Sequence, residues 1–204
     1  MIEFGSGNGA FAIAARDAGF AVTAIEMDER GCRYLDGQVG ITAICSSRPL
    51  DDLAALGQAD VIAMWHVLEH LPDPAEVIRQ SARRLVPGGL LAIAVPNTDS
   101  LQFRLLRSRW AHVDAPRHLC LIPPRTLAKL GREAGLRCVA ITTNDPDGYE
   151  CNLFGWVRAL HSKRTDVVPR AVAKAAFAFC VAAAPLERTG HHGAAVTLLM
   201  RKES

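Results

Sequence analysis

The stretch Met1-Ile2-Glu3-Phe4-Gly5-Ser6-Gly7-Asn8-Gly9-Ala10 decides the fold. Met1 to Phe4 read as the end of a short apolar strand. Three glycines then alternate with small polar residues, and Ala10-Phe11-Ala12-Ile13-Ala14-Ala15 opens a helix. A strand, a glycine loop and a helix start make a site for a polar ligand. Glycine reaches φ > 0 and lets a ligand lie against bare backbone. The helix start offers unpaired N–H groups and the positive end of a dipole. Glu3 adds a carboxylate at the strand's carboxyl end, where open parallel sheets bind ligands. A tight strand–helix turn with no ligand is the plain alternative.

Working outward, alternation continues. A helix over Asn8 to Ala18 stops at Gly19, and Ala21 to Ile25 is a buried-type strand ending at Glu26. Asp28 caps a helix over Glu29 to Asp36, closed by Gly37, and Ile41 to Cys45 is a third strand. A weak helix from Leu50 to Leu56 precedes a fourth strand, Asp60 to Met64. Asp73-Pro74 starts a helix to Leu85, and Pro87-Gly88-Gly89 turns into a fifth strand, Leu90 to Val95. This pattern predicts an α/β, doubly wound, parallel sheet. Beyond Pro96, a helix from Leu101 to Arg107, a helix from Pro124 to Ala134 and a sixth strand, Arg137 to Thr143, lead to a last strand, Ala194 to Met200. One domain over 1–204 is expected, with lid or insert segments at about 98–122 and 145–193.

Composition narrows the partners. A net charge of +2 and 6% aromatic residues argue against a nucleic-acid partner. The six cysteines form no C-x-x-C pair, which reads as reduced thiols in a cytoplasmic protein. The first residues already read as strand and loop rather than as a signal peptide.

Two ligands suit the glycine loop. Gly5-x-Gly7-x-x-Ala10 with Glu26 about 20 residues on satisfies a dinucleotide fingerprint. Glu3-x-Gly5-x-Gly7-x-Gly9, however, resembles the first motif of class I S-adenosylmethionine-dependent methyltransferases. Glu3 would repel a pyrophosphate and attract an ammonium or a sulfonium. Three later stretches add to that resemblance. They are Asp60-Val61-Ile62 with Val67-Leu68-Glu69-His70-Leu71-Pro72-Asp73-Pro74; Leu85-Val86-Pro87-Gly88-Gly89-Leu90-Leu91; and Asp114-Ala115-Pro116-Arg117-His118-Leu119 with Glu133-Ala134-Gly135-Leu136. Together they are similar to the branch that includes ubiquinone-pathway O-methyltransferases. The resemblance implies a Rossmann-like, mostly parallel seven-stranded sheet with the last strand antiparallel. The cofactor implied is S-adenosylmethionine, and the acceptor a small-molecule, lipid-linked or glycan-type compound. An NAD-dependent dehydrogenase, and a protein binding a nucleoside ligand without turnover, remain as alternatives.

The resemblance also assigns roles. Glu3 binds the methionine ammonium; Gly5, Ser6, Gly7 and Gly9 form the loop that cradles the methionyl and ribose parts. Glu26 accepts from both ribose hydroxyls, Met27 packs on adenine, and Trp65 and His66 face the sulfonium and the acceptor. One position departs from the family. Where most members carry an Asp that meets the adenine amino group, this chain has Cys45-Ser46-Ser47-Arg48. Members also carry some tens of residues before the first strand, including a covering helix. Their lack reads as a shortened or misplaced start, with weak cofactor binding or self-association expected.

His66-Val67-Leu68-Glu69-His70 is formally H-x-x-E-H, a zinc-peptidase pattern. Pro72 and Pro74 break the long helix such a site needs. No metal is therefore assigned, and Glu69 and His70 are expected to cap and brace the turn; the resemblance leaves a divalent ion open there. A transfer to oxygen needs a base, and histidine suits it. His66 is the first candidate catalytic residue, then His118 and His112. Arg117 suits an acidic group on the acceptor or an ion pair with Asp114. His191-His192 reads as a turn.

Residues 169–186 are alanine-rich and predicted helical, with Pro169 at the first helical position and Pro185 at the end. The helix is apolar nearly all round and too short to span a bilayer, so burial is expected. The favoured reading is a cap over the acceptor pocket, implying an acceptor with an apolar portion. Contact with a membrane surface or self-association is the other use.

Overall fold

The computed structural model describes residues 1–161, 168–189 and 191–203. Seven strands form one sheet: β1 (Ile2–Phe4), β2 (Thr23–Glu26), β3 (Thr42–Cys45), β4 (Ala59–Trp65), β5 (Leu85–Pro96), β6 (Leu136–Thr142) and β7 (Ala195–Lys202). Their order is β3-β2-β1-β4-β5-β7-β6. Pairings from β3 through β5 are parallel, and β7 runs antiparallel to both β5 and β6. The Rossmann-like sheet with an antiparallel last strand is as expected. It reverses between β1 and β4, so the carboxyl ends of those two strands flank the cleft where such sheets take ligands.

The helices are α1 (Ala10–Asp17), α2 (Glu29–Tyr34), α3 (Pro49–Ala55), α4 (Pro74–Arg84), α5 (Leu101–Leu106), α6 (Pro124–Glu133), α7 (Pro146–Leu160) and α8 (Arg170–Arg188). Local chemistry sets their starts. Asp28, Asp73, Ser100 and Asp145 each accept a backbone N–H of the first turn of α2, α4, α5 and α7. The main core joins Phe4, Ile62, Met64, Ile78, Leu91, Ile93 and Leu198, all within 1% of complete burial. A smaller cluster of Ala12, Ala24, Leu35 and Ile41 packs α1 on β2.

Four expectations are corrected. Gly37 does not end the second helix; a π turn, Leu35–Val39, carries the chain on to Gly40 at φ 71°. That turn keeps Leu35 in the core. The fifth strand starts at Leu85 rather than Leu90, with Pro87-Gly88-Gly89 inside it as a register shift against β4. Pro185 lies inside α8, which runs to Arg188, and Pro169 stands just before its first turn. The reason is Glu187, buried at 1% exposure, whose Oε1 accepts from Trp156 Nε1 at 2.9 Å and Gln102 Nε2 at 3.2 Å. Finally, α8 is not buried all round. Ala176 and Ala183 pack on Trp156, while Phe177 is 61% and Phe179 52% exposed. Among the described residues no helix is long and apolar enough to cross a membrane. Of the 145–193 insert, residues 162–167 and 190 lie outside the described residues.

Candidate active site

The glycine loop closes on Glu26. Gly5, Gly7 and Gly9 all take φ > 0, at 64°, 52° and 76°. A Cβ at Gly5 would strike Val67, and one at Gly9 would come within 2.6 Å of Leu35, while Gly7 faces open space. Glu26, at the end of β2, accepts from Gly7 N at 2.8 Å, Met27 N at 2.7 Å and Asp28 N at 2.9 Å. Its carboxylate therefore ties the loop to the start of α2.

Glu3 is the anomaly of this corner. It is 2% exposed, and its Oε2 has no hydrogen-bond partner. Burial pushes its pKa up to about 7. The Ser6 hydroxyl, near but outside hydrogen-bond geometry, opposes that shift, and the Glu26 charge adds to it. A buried carboxylate with an unused oxygen is costly unless a donor or cation meets it.

Two clefts adjoin here. One, of about 610 Å³, is bounded by Gly5, Glu26, Met27, Ser46 and Ser47. The other, of about 690 Å³, is bounded by His112, His118, Cys151, Phe154 and Arg158. His66, His70 and Arg117 line both, so they form the shared wall. Of the predicted loop residues, Gly5, Glu26 and Met27 line the first cleft. Glu3, Ser6 and Gly9 are buried behind that surface, and Gly7 is exposed but outside its lining. Trp65 does not line either cleft; its ring lies against Phe11 of α1 at 4.8 Å, because it is still in β4 and points to the helix side.

His66 leaves the strand in the left-handed region, φ 54°, uncommon for a residue other than glycine. Its Nε2 lies 2.8 Å from Asp147 Oδ2 and its Nδ1 3.2 Å from Glu69 Oε1. Burial works against its charge, but Asp147, Cys151 and Glu69 outweigh that and push its pKa up to about 12. In that company the metal-free ring favours its charged form, which speaks for His118 over His66 as the base. His112 goes the other way. Burial, only partly offset by a hydrogen bond to the Cys151 carbonyl, takes it down to about 4. His118 donates from Nδ1 to the His112 carbonyl at 2.7 Å, which leaves Nε2 as its acceptor, 3.9 Å from Glu69 Oε1.

The H-x-x-E-H residues do not converge as one set. A single 3-10 turn, Leu68–His70, replaces any long helix. His66 groups with Asp147 and Cys151, and Glu69 with His70 and His118. The bracing role is visible: His70 Nδ1 donates to the Arg117 carbonyl at 2.8 Å, and Leu119 N donates to the Glu69 carbonyl at 2.8 Å. Arg117 pairs with Asp114 at 3.1 Å. The α7 residues Asp147, Cys151 and Arg158 were not expected. Their spacing of four and seven marks one helix face, but nothing near them in sequence names His66 as the partner.

Residues 1–141 match the family described as Methyltransferase domain. The ubiquinone biosynthesis O-methyltransferase of Bordetella pertussis is 31% identical over 147 residues, spanning 67% of this chain and 61% of that protein. That of Thiobacillus denitrificans is 30% identical over 161 residues, spanning 70% and 66%. The chain thus spans under two thirds of the length of these relatives. A SAM-dependent methyltransferase from Archaeoglobus fulgidus shares the fold with a TM-score of 0.66 at 19% identity, covering 98% of this chain and 85% of that one. With residues 1–141 of its 204 inside that family, the chain belongs to the S-adenosylmethionine-dependent methyltransferase domains.

Proposed function

We propose that this domain transfers a methyl group from S-adenosylmethionine to an oxygen of a small molecule with an anionic group and an apolar portion. The observation that carries this reading is the pair of clefts sharing the His66 and His70 wall, with the Glu3 carboxylate buried beside one of them. The residues fit the cofactor. The unpartnered Oε2 of Glu3 suits an ammonium, the open side of Gly7 admits a ligand against backbone, and Ser46 and Ser47 stand in the first cleft in place of the missing Asp. When bound, S-adenosylmethionine supplies an electrophilic methyl group.

The chain's own part is to bind and to move a proton. Arg158 and Arg117 on the second cleft attract the anionic group, and Phe154, half exposed there, takes the apolar portion. His118 takes the acceptor proton at Nε2, since its Nδ1–H is spent on the His112 carbonyl. The outer face of α8, with Phe177 and Val181 exposed beside Lys174, is the surface we place against a membrane that carries such an acceptor. α8 bounds neither cleft; α7 does.

Calorimetric titration with S-adenosylhomocysteine and with NAD tests the reading. Micromolar binding of the first and none of the second is expected. Tight NAD binding would instead favour a dehydrogenase. Binding with no turnover over a panel of hydroxylated aromatic and lipid-linked acids would leave a nucleoside-binding protein.

A further inference from the structure

Asp147 and Cys151 stand one turn apart on α7 and meet His66 at the end of β4. His66 Nε2 is 2.8 Å from Asp147 Oδ2 and 3.6 Å from Cys151 Sγ. One ligand atom from each of the three lies within 4.8 Å of the others. We propose that His66, Asp147 and Cys151 bind a zinc ion in the wall of the second cleft.

The donor set is the first argument. Imidazole, carboxylate and thiolate together suit zinc, and three protein ligands with one position left open is the arrangement of a reactive site. A thiolate disfavours magnesium and calcium, which prefer oxygen alone. The spacing is the second. Tetrahedral zinc, with bonds of about 2.0 Å to nitrogen and 2.3 Å to sulfur, sets nitrogen and sulfur roughly 3.5 Å apart. Cys151 Sγ already stands at that separation from His66. Asp147 is closer, at hydrogen-bond distance, and needs to retreat by about half an ångström to reach the nitrogen–oxygen spacing of such a site.

The third argument is the support behind the ring. Metal-bound histidines hand their other ring N–H to a carboxylate. Glu69 is that carboxylate: it is 1% exposed, and its Oε1 lies 3.2 Å from His66 Nδ1. The left-handed backbone at His66 places the ring between Glu69 and α7. Both His66 and Cys151 line the cleft, so the open position faces it. On the methyl-transfer reading, an acceptor hydroxyl placed there loses its proton more readily. Metal binding itself does not rest on that reading.

The full chain, stripped with chelator and dialysed, is titrated with cobalt(II) and with zinc(II), without cofactor. One equivalent of cobalt with a thiolate-to-metal absorption band in the near ultraviolet is expected. Cys151→Ser, a conservative change, should abolish the band and weaken zinc by about tenfold or more. Glu69→Gln should keep the band and weaken zinc about 10- to 100-fold. His70→Ala should leave both as they are. Cobalt bound with no band, and lost in His70→Ala, would put the ion on Glu69, His70 and His118 and overturn the proposal. So would a wild-type protein that retains no metal, since His66 would then be a charged tether between β4 and α7. Thermal melts of each variant distinguish lost binding from lost fold.

Discussion

At Glu3, binding and stability pull in opposite directions. The folded carboxyl holds its proton up to about pH 7, whereas the unfolded one releases it near 4.5. The native state therefore binds more protons between those values, and stability falls as pH rises through that window, by about 3 kcal/mol in all. Glu3→Gln removes the penalty. Its melting temperature should exceed the wild type's at pH 8 and match it near pH 4, while its affinity for S-adenosylhomocysteine drops; equal melting at both pH values would show that Glu3 is not strained. Glu26 carries a different prediction. Glu26→Ala should weaken S-adenosylhomocysteine by about 1.5–3 kcal/mol, the range for hydrogen bonds to a charged group. Part of that loss comes through the loop, because Gly7, Met27 and Asp28 lose their common acceptor. Unaltered calorimetric affinity would remove Glu26 from the site. Both acids could be picked out in the sequence because Glu3 sits inside the glycine-loop stretch and Glu26 ends the next strand, whose side chain meets Gly7 N. His66 was legible as a residue worth watching, but not in its partners. Asp147 is 81 positions away, and only the folded chain brings it within reach.

Elements behaved as their caps and turn residues predicted wherever those were strong. Asp28 and Asp73 start helices because an acceptor there satisfies an N–H that the helix cannot. Boundaries failed where a tertiary contact outweighed a local rule. Pro185 should stop α8, since it lacks an N–H and crowds the preceding turn. The buried Glu187 bonds and the Ala176 and Ala183 packing on Trp156 hold the helix through it. Glu187→Ala should thus cost about 1–3 kcal/mol in denaturant unfolding, by orphaning Trp156 Nε1 and Gln102 Nε2. Glu187→Gln, which keeps an acceptor, should recover most of it. The expected burial of α8 failed because hydrophobic composition does not say which face has a partner. Phe177 stands clear of the domain, so Phe177→Ser should leave stability within about 0.5 kcal/mol. The same variant should lose co-sedimentation with anionic vesicles. Retained vesicle binding would move the membrane face elsewhere, and a wild type that self-associates without vesicles would replace the membrane by a second copy.

For the molecule as a whole, the sheet was readable from alternation, and the antiparallel last strand from family resemblance. What neither supplied was the arrangement around the second cleft, which is assembled from the 68–70 turn, residues 109–118 and α7. Ligand binding should be felt globally. At a hundredfold excess over its Kd, S-adenosylhomocysteine should stabilise the fold by about 2.7 kcal/mol, roughly 5–10 °C in a thermal scan, with no shift from NAD. The position of β7 has a further consequence, for synthesis rather than for binding. β7 sits between β5 and β6, yet it follows both in the chain. Some hundred residues separate the end of β5 from the start of β7, about 5–20 s at the pace of a ribosome. Throughout that interval β5 has one bare flank, and β6, once made, has no neighbouring strand until β7 arrives. The nascent chain therefore carries a sticky, half-built sheet that only its last strand can close, and a protein interrupted before Ala195 should be chaperone-bound or insoluble.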